Sequence, residues 1–515
     1  MYLFSADDIR LAERKAVDHF GVPPIILMEN AARGVAEIVE ERFPAASRIL
    51  VACGGGNNGG DGLATARHLL KRGRKVTVLL AAPEEKLTPE GSVNLEILKR
   101  INCPIARSAD LTDVGMRELA MGQDILVDAL LGSGSKGSPR GETGRVIGSI
   151  SRTVPVVSID IPSGVDPSTG EVEGEALEAV LTVAILARKI GQEIMPGRSF
   201  RGEVETVDLG IEAALLLPGP GKVELLDPLM VSGFLQPFSP FIHKGDRGIV
   251  LVIGGSERYR GAPLLAALGA LMAGSGGVIA AVPAGSMPMF SRYPEIIPME
   301  ACTEDGAISP ETWERIVETW KGKFKAVVIG PGLDRGRVPQ DLVRRVWKDW
   351  DGPLCLDGDA LHALSCCSDL DPRAVGTVVT PHEGEAALLL SVDTSEVKRC
   401  RYISALELSR RFGVALLKGP SSLVSESEKV RVNPHVVAGL SVPGSGDVLS
   451  GVLGAFLVRG VNIFDAASSA AFVHGYAGEA VQDRKGPDGI TATEIALEVP
   501  SVISRIRQAA GKVLL

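Results

Sequence analysis

A chain of 515 residues with 54 basic and 63 acidic side chains carries a formal net charge of −9. It is too long for one hydrophobic core, so two or more domains are expected. With 45% hydrophobic and 23% charged residues the composition is globular, and no Lys/Arg run or basic–aromatic stripe points to a nucleic-acid partner.

The opening segment, MYLFSADDIRLAERKAVDHF, is charged and amphipathic and lacks an apolar export region. The apolar stretch Ala179 to Ala187 is far shorter than the roughly 20 residues of a membrane span and reads as a buried strand. Cys53, Cys103, Cys302, Cys355, Cys366, Cys367 and Cys400 include no CxxC pair, and the histidines form no HxxxH. Neither a disulfide framework nor a zinc site is expected from that spacing. The expectation is a cytoplasmic protein without a membrane partner.

In chain order, Arg48–Cys53 is a β-rich run that breaks at a glycine loop, followed by a helical pattern over Leu63–Lys71 and a strand at Lys75–Ala82. Leu87–Ile101 reads as a helix, and Asp124–Leu130, Val154–Ile161, Val180–Ala187 and Glu203–Leu209 as strands. Strands apolar on both faces and separated by helices predict a mainly parallel sheet flanked by helices. The alternation breaks between Ile211 and Pro240, where proline and glycine predict a linker, so domains are expected over 1–215 and 225–515. It restarts with a strand at Gly248–Gly254, a helix over Pro263–Ala273 and a strand at Gly277–Pro283. Further strands are expected at Ala326–Gly330, Pro353–Asp357, Thr377–Thr380 and Val414–Lys418, with one long helical stretch from near Asp447.

The most distinctive segment is GGGNNGGDG, Gly54 to Gly62, at a strand-to-helix transition. Open α/β sheets bind ligands at that position, and glycines let backbone approach a ligand closely. Gly54, Gly56 and Gly59 satisfy G-x-G-x-x-G, so a dinucleotide dehydrogenase has to be weighed. The next strand ends in VLLAAPEEK, with its acidic residues misplaced for ribose recognition. Asn57 and Asn58 offer amide carbonyls suited to a hard cation or a polar ligand. The plain alternative is a glycine-rich turn with no ligand. Two further strand ends carry polar groups: Asp128, leading into the GSGSKGS loop of Gly132 to Ser138, and Asp160 with Ser163 in SIDIPSG. A lone strand-end aspartate is usually a cap, but three loaded strand ends are the anatomy of one site.

The second half carries HKGDRGIVLVIGGSERYRGAP from His243, GPGL from Gly330, LDGDAL from Leu356, TPHEGE from Thr380, LKGPSSLV from Leu417 and VPGSGDVLSG from Val442. No Walker A sequence occurs. GSGD, Gly444 to Asp447, places small residues and then a carboxylate at a helix start, where backbone N–H groups can hold a phosphoryl group and Asp447 can take a hydroxyl proton. Lys418, at a strand end before Gly419, is placed for a nucleotide. The bland alternatives are a helix cap for Asp447 and a solvated charge for Lys418.

Through NNGGDG, DALLGSG, SIDIPSGVD, ARKIG and GEVETVDLGI, residues 1–215 resemble the NAD(P)H-hydrate epimerases. The resemblance implies a Rossmann-like domain with a potassium ion on Asn58, Asp128 and Ser163. It also implies substrate contacts from Asn57, Asn58, Gly59, Gly60 and Asp61, from Gly132, Ser133, Gly134, Ser135, Lys136, Gly137 and Ser138, and from Asp160. Epimerisation breaks and re-forms a C–O bond beside the ring nitrogen, for which Asp160 is the candidate acid/base and Lys189 a helper.

Residues 240–510 resemble the ribokinase-like superfamily, and within it the NAD(P)H-hydrate dehydratases, through the motifs from HKGDRG to GSGDVLSG. This implies hydrate contacts from Ala262, Gly332, His382 and Asp447, and a nucleotide held by Lys418, Gly419, Pro420, Ser421, Ser422 and Gly446. The implied reaction phosphorylates the hydrate's hydroxyl from ADP or ATP with Mg2+ and eliminates phosphate; Asp447 is its catalytic base. The pair implies repair of hydrated NADH and NADPH (NADHX and NADPHX), interconversion of the R and S hydrates feeding dehydration of the S form, in a homo-oligomer. Two departures stand out: Ser422 replaces a common threonine, and Glu383 replaces a proline and puts a negative charge near His382. The rivals are a small-alcohol kinase fused to a non-catalytic ligand-binding domain, and an N-terminal domain that only binds or scaffolds.

Overall fold

The computed structural model describes residues 1–513 apart from positions 244, 321, 368, 369, 372, 374 and 375, so Lys244 of the HKGDRG segment lies outside the described residues. The chain divides into two compact units, Tyr2–Val223 and Glu224–Leu515 together with Met1. The division falls inside the proline- and glycine-rich stretch.

The first unit holds seven parallel strands: β1 Arg48–Cys53, β2 Lys75–Leu80, β3 Ile105–Arg107, β4 Ile125–Ala129, β5 Val156–Ile159, β6 Leu181–Ile185 and β7 Glu203–Val207. Their order is β3-β2-β1-β4-β5-β6-β7, with pairing such as Ile49 to Val76 and Ile125. Side chains alternate across each strand. Ile49 and Val51 face a core with Ile9, Val35 and Val39 of the helices Ala6–Asp18 and Pro24–Arg42. Leu50 faces the opposite core with Leu126, Val146 and Ile150. Burying each such side chain contributes about 1.5–3 kcal/mol, which is why these strands read as continuous apolar runs. From β1 the chain winds toward β2, and from β4 toward β5. The carboxyl ends of β1 and β4 therefore form the switch-point crevice.

The second unit is built on β8 Ile249–Ile253, β9 Gly277–Val282, β10 Ile296–Glu300, β11 Ala326–Ile329, β12 Leu354–Leu356, β13 Thr377–Val379, β14 Val414–Leu417, β15 Leu423–Glu426 and β16 Lys429–Val432. Their order is β16-β15-β14-β13-β12-β11-β8-β9-β10, parallel from β14 to β10 and antiparallel across β14–β15–β16. Here the winding reverses between β8 and β11. Helix Ser445–Leu457 lies tightly on helix Ala262–Met272: a Cβ on Gly451 would stand 1.8 Å from the Ala266 carbonyl oxygen, and one on Gly269 would stand 2.4 Å from that of Val448. That approach carries GSGD to the mouth of β8.

Two expectations need correction. The helix after β1 starts at Asn57, not Leu63, so NNGGDG forms its first two turns. The long C-terminal helix is three: Ser445–Leu457, Ile463–Lys485 and Ala492–Val513. Gly460 at φ 74° and the Asn462 cap, whose carbonyl accepts from the Phe464 amide, end one and start the next. Among the described residues no helix is long and apolar enough to cross a membrane, and none of the seven cysteines forms a disulfide.

Candidate active sites

In the first unit the glycines act mainly by close approach. A Cβ on Gly54 would lie 2.0 Å from the Leu130 carbonyl oxygen, and one on Gly59 would lie 1.9 Å from that of Gly54. Gly60 is pressed on Met28 and Gly62 on Ala129. Glycine costs a helix interior about 0.5–1 kcal/mol per position, and here it lets the helix seat against β1 and β4 so that Asn58 reaches the β4 loop.

Asn58, Asp128 and Ser163 come together there. Asn58 Nδ2 donates to the Leu131 carbonyl at 2.9 Å, while its Oδ1 is buried without a hydrogen-bond partner among the described residues. Ser163 Oγ accepts from the Leu131 amide at 2.9 Å and donates to Asp128 Oδ1 at 2.6 Å. Asp128 Oδ2 accepts from Ser158 Oγ at 2.8 Å and from the Ser163 amide at 2.9 Å, and Oδ1 also accepts from the Leu130 amide at 3.2 Å. Burial pushes the Asp128 carboxyl up, and these four donors oppose it. An all-oxygen set with one orphaned amide carbonyl fits a hard monovalent cation better than a soft metal. Asp128→Ala would strand four buried donors, each costing about 1–3 kcal/mol. Chemical denaturation should show this unit destabilised by at least ~3 kcal/mol; wild-type stability would mean the network is dispensable.

Asp160, just past β5, sits at φ 70°, uncommon for a non-glycine residue. Its amide donates to the Val183 carbonyl and its own carbonyl accepts from Gln192 Nε2 at 2.7 Å, which fixes the turn. Oδ1 accepts from the fully buried Lys189 ammonium and the Ile185 amide, and Oδ2 from the Ser133 amide at 3.1 Å. A cavity of about 380 Å³ opens over Asn57, Asn58, Asp61, Leu131, Ser133 and Asp160. It shares Glu13, Asn57 and Asp61 with an adjoining cavity of about 720 Å³ walled by Leu27 and Met28.

Of the expected substrate contacts, Asn57, Asn58, Asp61, Gly132 to Ser135 and Asp160 line this cavity. Lys136, Gly137 and Ser138 do not: Gly137 faces Glu173, and Ser138 faces Gly174. Gly59 and Gly60 are taken up by packing. Glu13, from the first helix, is a lining carboxylate that sequence reasoning missed. The signal was available, because Glu13 falls one turn after Ile9 on the stripe that buries Ala6, Ile9, Ala12 and Ala16. Burial and the charge of Asp160 push it up to about 7; burial, then Glu13 and Asp160, raise Asp61 well above the carboxylate range.

In the second unit the motifs converge on the carboxyl ends of β8 and β11 to β14. Gly332, at φ 63°, approaches Tyr259 and Ala262; a Cβ there would stand 2.9 Å from Ala262 Cβ. Gly330 closes on the Asp357 carbonyl. Lys418 Nζ donates to Asp357 Oδ1 at 2.6 Å and lies 3.8 Å from Glu385 Oε2. Thr380 Oγ1 donates to the same Asp357 oxygen at 2.7 Å. A Cβ on Gly446 would stand 3.3 Å from Lys418 Nζ, so GSGD and LKGPSS meet. Burial disfavours charge on Lys418, but Asp357 and Glu385 outweigh it and hold the ammonium protonated. Asp447 has no hydrogen-bond or ion-pair partner for its carboxylate among the described residues; burial, then the charge of Asp357, push it up to about 8.

His382 is exposed and caps helix Glu383–Leu390, with Nδ1 accepting from the Gly384 and Glu385 amides at 3.0 and 3.2 Å. Gly419 and Pro420 are exposed, Ser421 is buried at φ 50°, and Ser422 Oγ donates to the Gly419 carbonyl at 2.9 Å, closing the turn. Glu383 is not a free charge beside His382. Its carboxylate pairs with the buried guanidinium of Arg401, which also donates to the Lys418 carbonyl at 3.3 Å. Sequence reasoning quoted LDGDAL and TPHEGE as motifs but passed over Asp357, Thr380 and Glu385. A carboxylate ending an apolar strand was the available signal for Asp357.

Residues 24–191 match the family model described as YjeF-related protein N-terminus, and residues 250–501 match that described as NAD(P)H-hydrate dehydratase. The bifunctional NAD(P)H-hydrate repair enzyme Nnr of Thermanaerovibrio acidaminovorans is 37% identical over 505 residues, 97% of this chain and 98% of that protein. The enzyme of the same description from Moorella thermoacetica is 34% identical over 518 residues, 99% of this chain and 98% of that one. Among solved structures, the ADP/ATP-dependent NAD(P)H-hydrate dehydratase of Bacillus subtilis, co-crystallised with ATP/Mg2+, matches at TM-score 0.50 and 26% identity over 55% of this chain and 99% of that one.

Proposed function

The chain belongs to the family of bifunctional NAD(P)H-hydrate repair enzymes, and on that premise we propose that its first unit interconverts the R and S hydrates of NADH and NADPH while its second dehydrates the S form at the expense of ADP or ATP. The observation that carries this is the pairing of two separate strand-end sites, one of amides and carboxylates around Asn58 and Asp160, the other around Lys418 and Asp447. A simple kinase fused to a binding module accounts for the second site but not for the first.

In the first site Asp160, oriented by Lys189, Ser133 and Ile185, is the acid/base that moves a proton at the hydrate's hydroxyl. Asn58, Asp128 and Ser163 would hold potassium, with the orphaned Asn58 Oδ1 as the donor most open to it; bound there, the ion adds positive charge beside the Leu131–Ser135 loop. In the second site the nucleotide lies along Lys418 to Ser422 with its phosphates toward Gly446 and the N–H groups opening helix Ser445–Leu457. Asp447 takes the proton of the hydrate's hydroxyl, the oxygen is phosphorylated, and phosphate leaves with the C–O bonding pair as the ring-nitrogen lone pair forms C=N. Loss of a proton from the adjacent ring carbon to water, its C–H pair forming C=C as the C=N π pair returns to nitrogen, restores the ring double bond. Phosphorylation turns a poor leaving group into a good one. Magnesium would offset phosphate charge and is held by such sites through one or two carboxylates plus the nucleotide's own oxygens. The carboxylate of Asp357 would offer that chemistry. The protein is proposed to act in the cytoplasm as a homo-oligomer.

Incubating the full-length protein with racemic hydrate and ADP or ATP should regenerate the reduced-nicotinamide absorbance with one phosphate released per molecule repaired. A stable phosphorylated hydrate would overturn the dehydratase assignment in favour of a kinase.

A further inference from the structure

Inversion at the hydrated carbon needs a proton delivered on one face of the ring and removed on the other, yet the epimerase assignment above employs one carboxylate. Glu13 lines the same cavity as Asn57, Asn58, Ser133 and Asp160, but it enters from a different element, the helix Ala6–Asp18. Its carboxylate has no hydrogen-bond or ion-pair partner among the described residues. The basic groups that face it are already engaged: Arg10 pairs with Asp7, and Lys189 pairs with Asp160. A carboxylate that no protein donor claims, presented to a cavity, is free to bond a ligand there.

We propose that Glu13 is a second proton-transfer residue of the epimerisation, acting on the ring face that Asp160 does not serve; the inference rests on the epimerase function proposed above. In one direction neutral Glu13 gives its proton to the hydrate's hydroxyl. The C–O bond breaks with its electron pair going to oxygen, water leaves, and the ring-nitrogen lone pair forms a C=N iminium bond. Water then adds through an oxygen lone pair on the opposite face, the C=N π pair returns to nitrogen, and the spare proton passes to the Asp160 carboxylate. In the reverse direction Asp160 donates and Glu13 accepts, and after each forward turnover the proton returns from Asp160 to Glu13 through water, so protons and electrons balance.

Glu13 suits the donor half because burial and Asp160 hold its ionisation at about 7. The charged groups facing it are Arg10 on its own helix, Asp61 on helix Asn57–Lys71, Asp160 after β5 and Lys189 after β6. A folded-state value above the ordinary 4.5 means that ionised Glu13 lowers stability as pH rises through about 7. Glu13→Gln should therefore fold, and above that pH its thermal midpoint should match or exceed that of the wild type.

The test follows one resolved hydrate epimer by chiral chromatography, without nucleotide, across pH, for the full-length wild type, Glu13→Gln and Glu13→Asp. Expected is a fall in kcat of roughly 10²-fold or more for Glu13→Gln, with KM little changed and with the pH limb near 7 abolished. Glu13→Asp should recover part of the rate and the limb. Wild-type kcat with an unaltered pH profile in Glu13→Gln, or a loss confined to KM, overturns the proposal. If Glu13→Gln loses its fold, Glu13→Asp decides the matter: an unmoved pH limb overturns the proposal, and a shifted one supports it. A wild type that fails to interconvert the epimers sinks the epimerase function itself, a distinct result.

Discussion

Asp447→Asn is expected to lower nucleotide-dependent dehydration by roughly 10²–10⁴-fold, the range a positioned general base contributes, while nucleotide affinity and epimerisation stay at wild-type levels. The side chain stands on the first turn of helix Ser445–Leu457 without a partner among the described residues, so the amide replaces it without stranding a donor. The same geometry fixes a pH dependence. Burial and Asp357 hold Asp447 protonated until about pH 8, and a base must be ionised, so kcat/KM for the hydrate should climb with pH through that region and then level. The proton held in the folded state also means that the group's favourable contribution to stability is present at low pH and fades as pH rises through about 8, so the climb in rate comes with a loss of stability. Asp447→Asn should remove both trends. Steady-state rates and nucleotide binding by calorimetry check this; dehydration surviving in the variant would end the assignment of Asp447 as base.

Asp160→Asn is the second large effect. An amide offers one acceptor oxygen where the carboxylate served the Lys189 ammonium, the Ile185 amide and the Ser133 amide. The buried Lys189 charge loses its counter-ion, which typically costs 3–5 kcal/mol, and the proton-transfer group disappears. Epimerisation should drop roughly 10²–10⁴-fold. The double variant Asp160→Asn/Lys189→Met separates the two causes, because it removes the stranded charge along with the acid. Stability should return while the rate remains lost. If the rate returns with stability, Asp160 is a structural residue and the acid/base lies elsewhere.

Much of the fold was legible because a buried parallel strand writes itself as an apolar run. RILVAC, DILVDAL and VPVVSIDI each contain the strand that the structure shows. The glycine-rich segment was legible as a site but not as a helix. Glycine propensity argues against a helix at Asn57, whereas packing on Gly54, Met28 and Ala129 decides the outcome. The three-way break of the C-terminal helices was signalled by Gly460 and Asn462, which the small apolar residues on either side masked. At the sites, strand-end residues were found and their partners were not. Lys418 and Asp160 announced themselves by motif; Asp357 and Glu13 left fainter signals, a strand end and a helix stripe, and these two and Glu385 gain their weight from what folding brings beside them. Glu383 shows the converse. Its charge looked like an intrusion near His382 until Arg401, 18 positions later, proved to neutralise it and to brace the Lys418 carbonyl.

The central claim is that two independent sites act in series, and repair of the pure R hydrate tests it most directly. With ADP or ATP present, the wild type should convert R hydrate fully to reduced nucleotide. Asp160→Asn/Lys189→Met should repair the S hydrate at the wild-type rate while leaving R hydrate to its slow spontaneous epimerisation. Equal repair of both epimers by that variant, or loss of S repair along with R, would contradict two sites working in sequence.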